Sequence, residues 1–254
     1  MILIFSDLDG TLLDKDTYSW QAARPALDRV RKLGIPLVLV SSKTRAEMEH
    51  WRAQIGNQDP FIVENGGAAY VPHEDGYRTL EWGTPYAMLC AALRAVESDC
   101  GCRLVGFHEL TAAEIAELTE LTLEQAEMAR RREYDEPFLA GGVCDPQKLE
   151  AAVAKLGLRY SWGGRFPHLH GNNDKAVAAA ALIDLFRQRD SGVTTIGLGD
   201  APNDLPLLRL VDQPVIIRSP HSAEMFQQLP NAMVTTQPGP AGWNRAVLEL
   251  LDQS

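Results

Sequence analysis

MILIFSDLDGTLL, residues 1–13, opens the chain, and the reading of this stretch decides the fold. Ile2 to Phe5 is a short apolar run with no polar face, the pattern of a strand covered on both sides. It ends abruptly in Asp7-Leu8-Asp9-Gly10-Thr11. On an extended chain, residues i and i+2 project to the same side, so the two carboxylates stand close together. They repel unless a cation, a proton or a phosphoryl-transfer reaction separates them. Gly10 permits a turn that few other residues allow. A buried strand, paired Asp and a Gly turn make a seat for a hard metal and a nucleophile.

The same pattern repeats outward from this stretch. Trp20 to Leu33 carries apolar residues at helical spacing, and residues 35–40 (IPLVLV) form a second buried strand ending in Ser41-Ser42-Lys43-Thr44-Arg45. A helix is expected from Arg45 to Ile55, then a short strand at Phe61-Ile62-Val63 before Glu64-Asn65-Gly66-Gly67. Apolar strands alternating with helices specify a parallel sheet covered on both faces, with ligands at the carboxyl ends of the strands. From about Gly83 to Arg165 the rhythm changes to mixed helices and short strands, including strands at 138–141 and 159–162. Parallel alternation resumes with an alanine-rich helix from Lys175 and a buried strand, residues 193–198, ending in Gly199-Asp200-Ala201-Pro202-Asn203-Asp204. Pro238-Gly239-Pro240 is read as a break before a C-terminal helix from Trp243. The expected fold is α/β, a Rossmann-like parallel-sheet core with an inserted α+β cap. The core covers 1–82 and 167–254, the cap 83–166.

Composition narrows the function. A net charge of −10 argues against nucleic acid or an anionic membrane as partner. No apolar run reaches the ~20 residues of a membrane span, and no basic segment leads into a long apolar one. Cys90, Cys100, Cys102 and Cys144 form no CxxC pair, so a cytoplasmic protein with reduced thiols is expected. Arg130, Arg131 and Arg132 read as a solvated helix face.

Two acidic turns, Asp7/Asp9 and Asp200/Asn203/Asp204, stand at opposite ends of the chain, each after an apolar strand. If both strands are central in one sheet, the carboxylates converge and require a divalent cation; all-oxygen ligation favours Mg2+ over zinc. Lys175 and Ser41 would bring a cation and a hydroxyl to the same crevice, giving a working set for phosphoryl transfer through an aspartyl-phosphate. Lys175 also fits the first turn of a helix capped by Asp174, and Ser42 competes with Ser41. His168 and His170 lie on one side of any strand, without a third such ligand placed nearby.

Taken in order, these four motifs resemble those of the haloacid dehalogenase-like phosphatases. The insertion is similar to the large C2B-type cap of the subgroup that hydrolyses sugar phosphates. Five further runs resemble the mannosyl-3-phosphoglycerate phosphatases within it. They are Ser41 to Arg45, Glu64 to Gly67, Glu133-Tyr134-Asp135-Glu136, Gly163-Gly164-Arg165-Phe166, and Pro238 to Trp243. The resemblance implies Asp7 as nucleophile and Asp9 as acid, then base. It further implies Asp7, the Asp9 carbonyl and Asp200 around Mg2+, Asn203 and Asp204 supporting that shell, and Ser41 and Lys175 on the transferring oxygens. Lys43, Arg45 and Arg165 become candidates for the anionic parts of the substrate, and Asp135, Glu136 and His168 for sugar hydroxyls. The partner is then a small phosphorylated sugar–glycerate, with no nucleic acid or membrane, and the chain a monomer or homodimer. A glucosyl substrate, a broad sugar phosphatase and a phosphomutase use the same machinery.

Overall fold

The computed structural model describes residues 1–142, 144–163 and 166–253. The first third folds as β1 (Ile2–Ser6), α1 (Arg24–Lys32), β2 (Leu37–Val40), α2 (Arg45–Ile55) and β3 (Phe61–Val63), followed by the hairpin β4 (Ala68–His73) and β5 (Gly76–Glu81). The middle third contains α3 (Tyr86–Cys100), β6 (Arg103–Gly106), α4 (Ala112–Thr119), α5 (Leu123–Ala129), β7 (Asp135–Gly141), α6 (Pro146–Lys155), β8 (Arg159–Gly163) and β9 (Phe166–His170). The last third consists of α7 (Lys175–Arg187), β10 (Thr194–Gly199), α8 (Leu205–Leu210), β11 (Gln213–Arg218), α9 (Ser222–Gln228), β12 (Met233–Pro238) and α10 (Gly239–Asp252).

The sheet order β12-β11-β10-β1-β2-β3-β4-β5 puts the opening strand near the centre. β1 pairs in parallel with β10, from Ile2 with Thr194 to Ser6 with Leu198, and with β2 on its other side. Its alternate side chains enter different cores. Ile4 packs with Leu39, Ile196 and Trp243 under α1 and α10, whereas Leu3 and Phe5 pack with Val38, Ala178 and Leu182 under α7. This double burial explains the absence of a polar face along the strand. The edge hairpin β4–β5 runs antiparallel and was not evident from apolar runs, because β5 is mostly exposed.

The second sheet, β6-β7-β9-β8, is antiparallel. Helices α3 and α6 cover one face through Leu89, Leu93, Val96, Leu149 and Val153, against Phe138 and Leu169 of the strands. A smaller cluster joins α4 and α5 to Phe107 and Phe166, and α5 packs against α2 of the core. The boundary expected at 166/167 falls inside β9, which belongs to this sheet through His170. The apolar residues Phe166 and Leu169 gave no hint of which sheet they would join.

Two local expectations change. Helix α10 starts at Gly239, because a proline at the first helical positions leaves no needed donor unmet. Cys102 and Cys144 form a disulfide where reduced thiols were expected; their Cα atoms are 5.5 Å apart because β6 and the end of β7 run side by side. Among the described residues, no helix is long and apolar enough to cross a membrane.

Candidate active site

The carboxyl ends of β1 and β10 lie side by side because the strands are paired in register, and the Asp7 amide extends that ladder to the Leu198 carbonyl (2.9 Å). Gly10 then turns the chain at φ +78°. A Cβ there would lie 2.6 Å from Asp200 Oδ2, so the turn can close on the second acidic motif only with glycine. Thr11 donates its hydroxyl to Asp200 Oδ1 (3.1 Å). Carboxylate oxygens of Asp7, Asp200 and Asp204 consequently lie within 4.8 Å of one another.

Lys175 is the first residue of α7 and only 1% exposed. Its Nζ donates to Asp7 Oδ1 and to Asp204 Oδ1, each at 2.6 Å. Asp204 is fixed from its other oxygen, which accepts from the Asp200 and Ala201 amides at 3.0 Å. Burial by itself would lower the Lys175 pKa, but Asp204 and Asp7 outweigh it and hold the ammonium well above its usual range. Burial pushes Asp7 well above the usual carboxylate range; Lys175 opposes this, and Asp204, Asp200 and Asp9 add to it. Burial and Asp204 likewise push Asp200 up to about 7. One buried cation thus faces three buried carboxylates. This excess of hard oxygen charge fits a divalent ion of the Mg2+ type, which would let Asp7 and Asp200 stay ionised.

Asp9 is half-exposed and forms an ion pair with Lys43 at 3.1 Å. Lys43 is buried and also reaches Glu47 (3.7 Å) and the Tyr18 ring. Ser41 sits at the end of β2 beside the Asp7 turn, its hydroxyl accepting from the Lys43 amide (3.2 Å). Asn203 lies in the Asp200–Asp204 turn after β10 and donates to Asn65 Oδ1 at 3.4 Å. Arg45 is held by Glu49 (2.8 Å) and the rings of Tyr70 and Tyr77, not by the carboxylate cluster.

On the cap side, Asp135 is fully buried. It accepts from His168 Nδ1 (2.9 Å), Arg132 Nη1 (3.0 Å) and Asn65 Nδ2 (3.1 Å). Burial opposes ionisation here, yet His168 and Arg132 hold the carboxyl at about 2. Glu136 is separated from this group. Neighbours on a strand face opposite sides, and Glu136 turns with Phe138 toward α3, where it meets His108 at 2.7 Å. The expected Asp135/Glu136 sugar pair is therefore split. Arg165 lies outside the described residues.

Residues 4–81 match the haloacid dehalogenase-like hydrolase family model. A protein of Methanococcoides burtonii named glucosyl-3-phosphoglycerate/mannosyl-3-phosphoglycerate phosphatase is 39% identical over 270 aligned positions, covering 99% of this chain and 98% of its own.

The chain belongs to the haloacid dehalogenase-like phosphatases.

A second relative of the same name, from Persephonella marina, is 36% identical and covers 99% of this chain and 98% of its own. A solved sugar phosphatase of subclass IIB in this superfamily superposes with a TM-score of 0.69 at 16% identity, over 98% of this chain and 99% of that one. The neighbour shares the fold: a Rossmann-like core with an inserted cap.

Several residues at the junction of the phosphatase core and cap stand in motifs quoted from the sequence, but their structural roles were not assigned there. Glu64 and Asn65 adopt positive φ, 47° and 54°, which turns both side chains onto the cap. Glu64 accepts from the Glu133 amide (3.0 Å) and the Tyr134 amide (2.8 Å). The Tyr134 side chain packs so close to Gly67 and Gly83 that a Cβ would lie 2.4 Å (Gly67) or 2.5 Å (Gly83) from its Cβ atom. Arg132, expected on a solvated face, is buried and donates to the Ser42 carbonyl (2.8 Å). Asn65 is a residue type that favours positive φ, but Glu64 carries no such signal, and one buried arginine in a run of three cannot be told from its exposed neighbours.

Glu64 yields a pH prediction. Burial pushes its carboxyl up to about 8 from 4.5, against the pull of Arg132 and the two amide donors, while Asp135 adds to the rise. The folded state then holds the extra proton between these values, so the stability contributed here is full below about 4.5 and is lost as pH rises toward 8. Glu64→Gln mimics the neutral carboxyl. Its Tm is expected to match the parent at pH 5 and exceed it at pH 8.5; a gap that stays constant across this range would refute the assignment.

Proposed function

We propose that this phosphatase is a Mg2+-dependent hydrolase of mannosyl-3-phosphoglycerate, with the glucosyl analogue as the alternative substrate, releasing the glycosylglycerate and phosphate. The observation that carries the reading is the buried Lys175 joining Asp7 and Asp204 beside Asp200. Both relatives' names supply the substrate class.

In this reading Asp7 attacks phosphorus and forms an aspartyl-phosphate. Lys175 neutralises charge on the transferring oxygens and, with the Ser41 hydroxyl, orients them. Asp9 is free of the buried cluster and paired only with Lys43 among the described residues. It can therefore exchange protons: it protonates the leaving glycerate oxygen and later deprotonates the water that cleaves the acyl phosphate. Asp7, Asp200 and the Asp9 carbonyl would hold Mg2+, with Asn203 and Asp204 supporting them; that ion offsets charge on the phosphoryl group. Asp135 and His168 present the cap's polar groups to the sugar. Lys43 and Arg45, together with Arg165, are the cations proposed for the glycerate carboxylate.

A phosphate-release panel tests this. With Mg2+, kcat/KM for mannosyl- or glucosyl-3-phosphoglycerate is expected to exceed that for hexose 6-phosphates by roughly 100-fold, since buried polar groups reject substrates that leave them unpaired. A faster hexose phosphate would sink the substrate class. Undiminished turnover in EDTA would sink the metal.

A further inference from the structure

The residue that turned away from the sugar site, Glu136, lies in a second polar cluster within the cap. Its carboxylate is 0% exposed, in a region otherwise filled by Leu89, Leu93 and Phe138. Oε1 accepts from the His108 amide (3.1 Å) and faces His108 Nδ1 (2.7 Å). Oε2 is buried with no close hydrogen-bond partner; the Tyr86 hydroxyl beside it is shared between the carboxylate and the Cys90 thiol. His108 is the sole ion-pair partner of Glu136 among the described residues. The Cys90 thiol, one turn along α3 from Tyr86, completes the group: Cys90 Sγ, a His108 ring nitrogen and a Glu136 oxygen lie within 4.8 Å of one another. The backbone makes room for them. A Cβ on Gly106 would lie 2.1 Å from Glu136 Oε1 and 2.6 Å from His108 Nδ1.

A buried carboxylate oxygen without a partner costs free energy unless something fills the gap. Water or an alkali ion would not account for a thiol and an imidazole brought within 4.8 Å of the same buried carboxylate. Sulfur, nitrogen and oxygen donors from three side chains are the ligand set of a borderline-soft divalent cation, and tetrahedral zinc with three protein ligands leaves one position for water. Cys90 and His108 are each partly exposed, which leaves a path for the ion to enter. We propose that Cys90, His108 and Glu136 form a zinc-class metal site in the cap, chemically distinct from the all-carboxylate site in the core. Its ligands join α3 to the segments before α4 and at the start of β7. The ion would therefore brace the cap from the face opposite Asp135 and His168.

The test uses the full chain, stripped with chelator, returned to excess Mg2+ to fill the carboxylate site, and titrated with Co2+. Expected is one equivalent that gives a near-ultraviolet sulfur-to-cobalt charge-transfer band with tetrahedral visible bands, both bleached by Zn2+. Carboxylate ligation in the core cannot produce the sulfur band. Cys90→Ser should lose it while keeping Mg2+-dependent phosphatase activity, and Glu136→Gln should weaken Co2+ binding by roughly tenfold or more. Absence of the band in the parent protein would overturn the proposal, and that measurement needs no variant to fold. A band that survives in Cys90→Ser would also overturn it, placing the ion on the other free thiol, Cys100.

Discussion

Asp7→Asn is expected to abolish phosphate release, by roughly 10^4-fold or more in kcat, because an amide cannot form the covalent intermediate. The same change should leave the metal-free protein more stable. Asp7 is buried, and Asp204, Asp200 and Asp9 all oppose its ionisation, with Lys175 as the chief counterweight. An isosteric amide still accepts from Lys175, whose charge remains matched by Asp204. It also removes one of the mutually repelling charges. Without Mg2+, the Tm should rise by about 2–4 °C, the equivalent of about 1 kcal/mol in a chain of this size. A dead enzyme with raised metal-free stability identifies a residue kept for chemistry at a cost to folding. Retained turnover would remove Asp7 from the nucleophile role. A lowered Tm would show that Lys175 depends on Asp7 more than on Asp204.

Lys175→Met is expected to act in the opposite sense on stability. Methionine fills most of the volume but leaves Asp7 and Asp204 without the cation that each meets at 2.6 Å. Breaking a buried pair from one side costs about 3–5 kcal/mol, which corresponds to a fall in Tm on the order of 10 °C. Mg2+ should recover part of that loss by supplying positive charge to the same carboxylates. Activity should stay reduced by roughly 10^3-fold, because the donor proposed for the phosphoryl oxygens is gone. Lys175→Arg is not expected to rescue it: a planar fork cannot replace a compact ammonium between two carboxylates at this spacing. A Lys175→Met protein with near-native turnover would reduce the residue to a helix-start position, the alternative its sequence context left open.

The two predictions rest on positions that were legible in the sequence, for a physical reason. Asp7, Asp200 and Lys175 each follow or open an element whose periodicity is unambiguous, and parallel pairing then forces the strand ends together. Legibility fails where contact is made by residues that leave no periodic trace. Asp135 and Glu136 are adjacent letters, yet the pleat sends one to Asn65 and His168 and the other to His108. Only the register of β7 with β9 decides which goes where. Arg132 is indistinguishable from Arg130 and Arg131 until the cap meets Ser42. Lys43 was legible as a cation in the right loop, but its ion pair with Asp9 depends on a turn geometry that the sequence does not encode locally. The catalytic floor is thus written in local patterns, whereas the cap's share of the site is written in pairings between distant strands.

The pairing of Ile2 with Thr194 has a consequence for assembly. The first strand synthesised has its central neighbour β10 in the last third of the chain, so the edge of β1 stays unpaired until synthesis has passed residue 199. The inserted sheet differs: β6 through β9 find their partners within residues 103–170. Its hydrophobic cluster is also self-contained. On a ribosome the cap can therefore close first, while Asp7 waits beside an open apolar edge for the strand that carries Asp200. Long-range parallel pairing is slow and exposes such edges to aggregation. The cap is built early, and the carboxylate cluster of the core comes together only at the end.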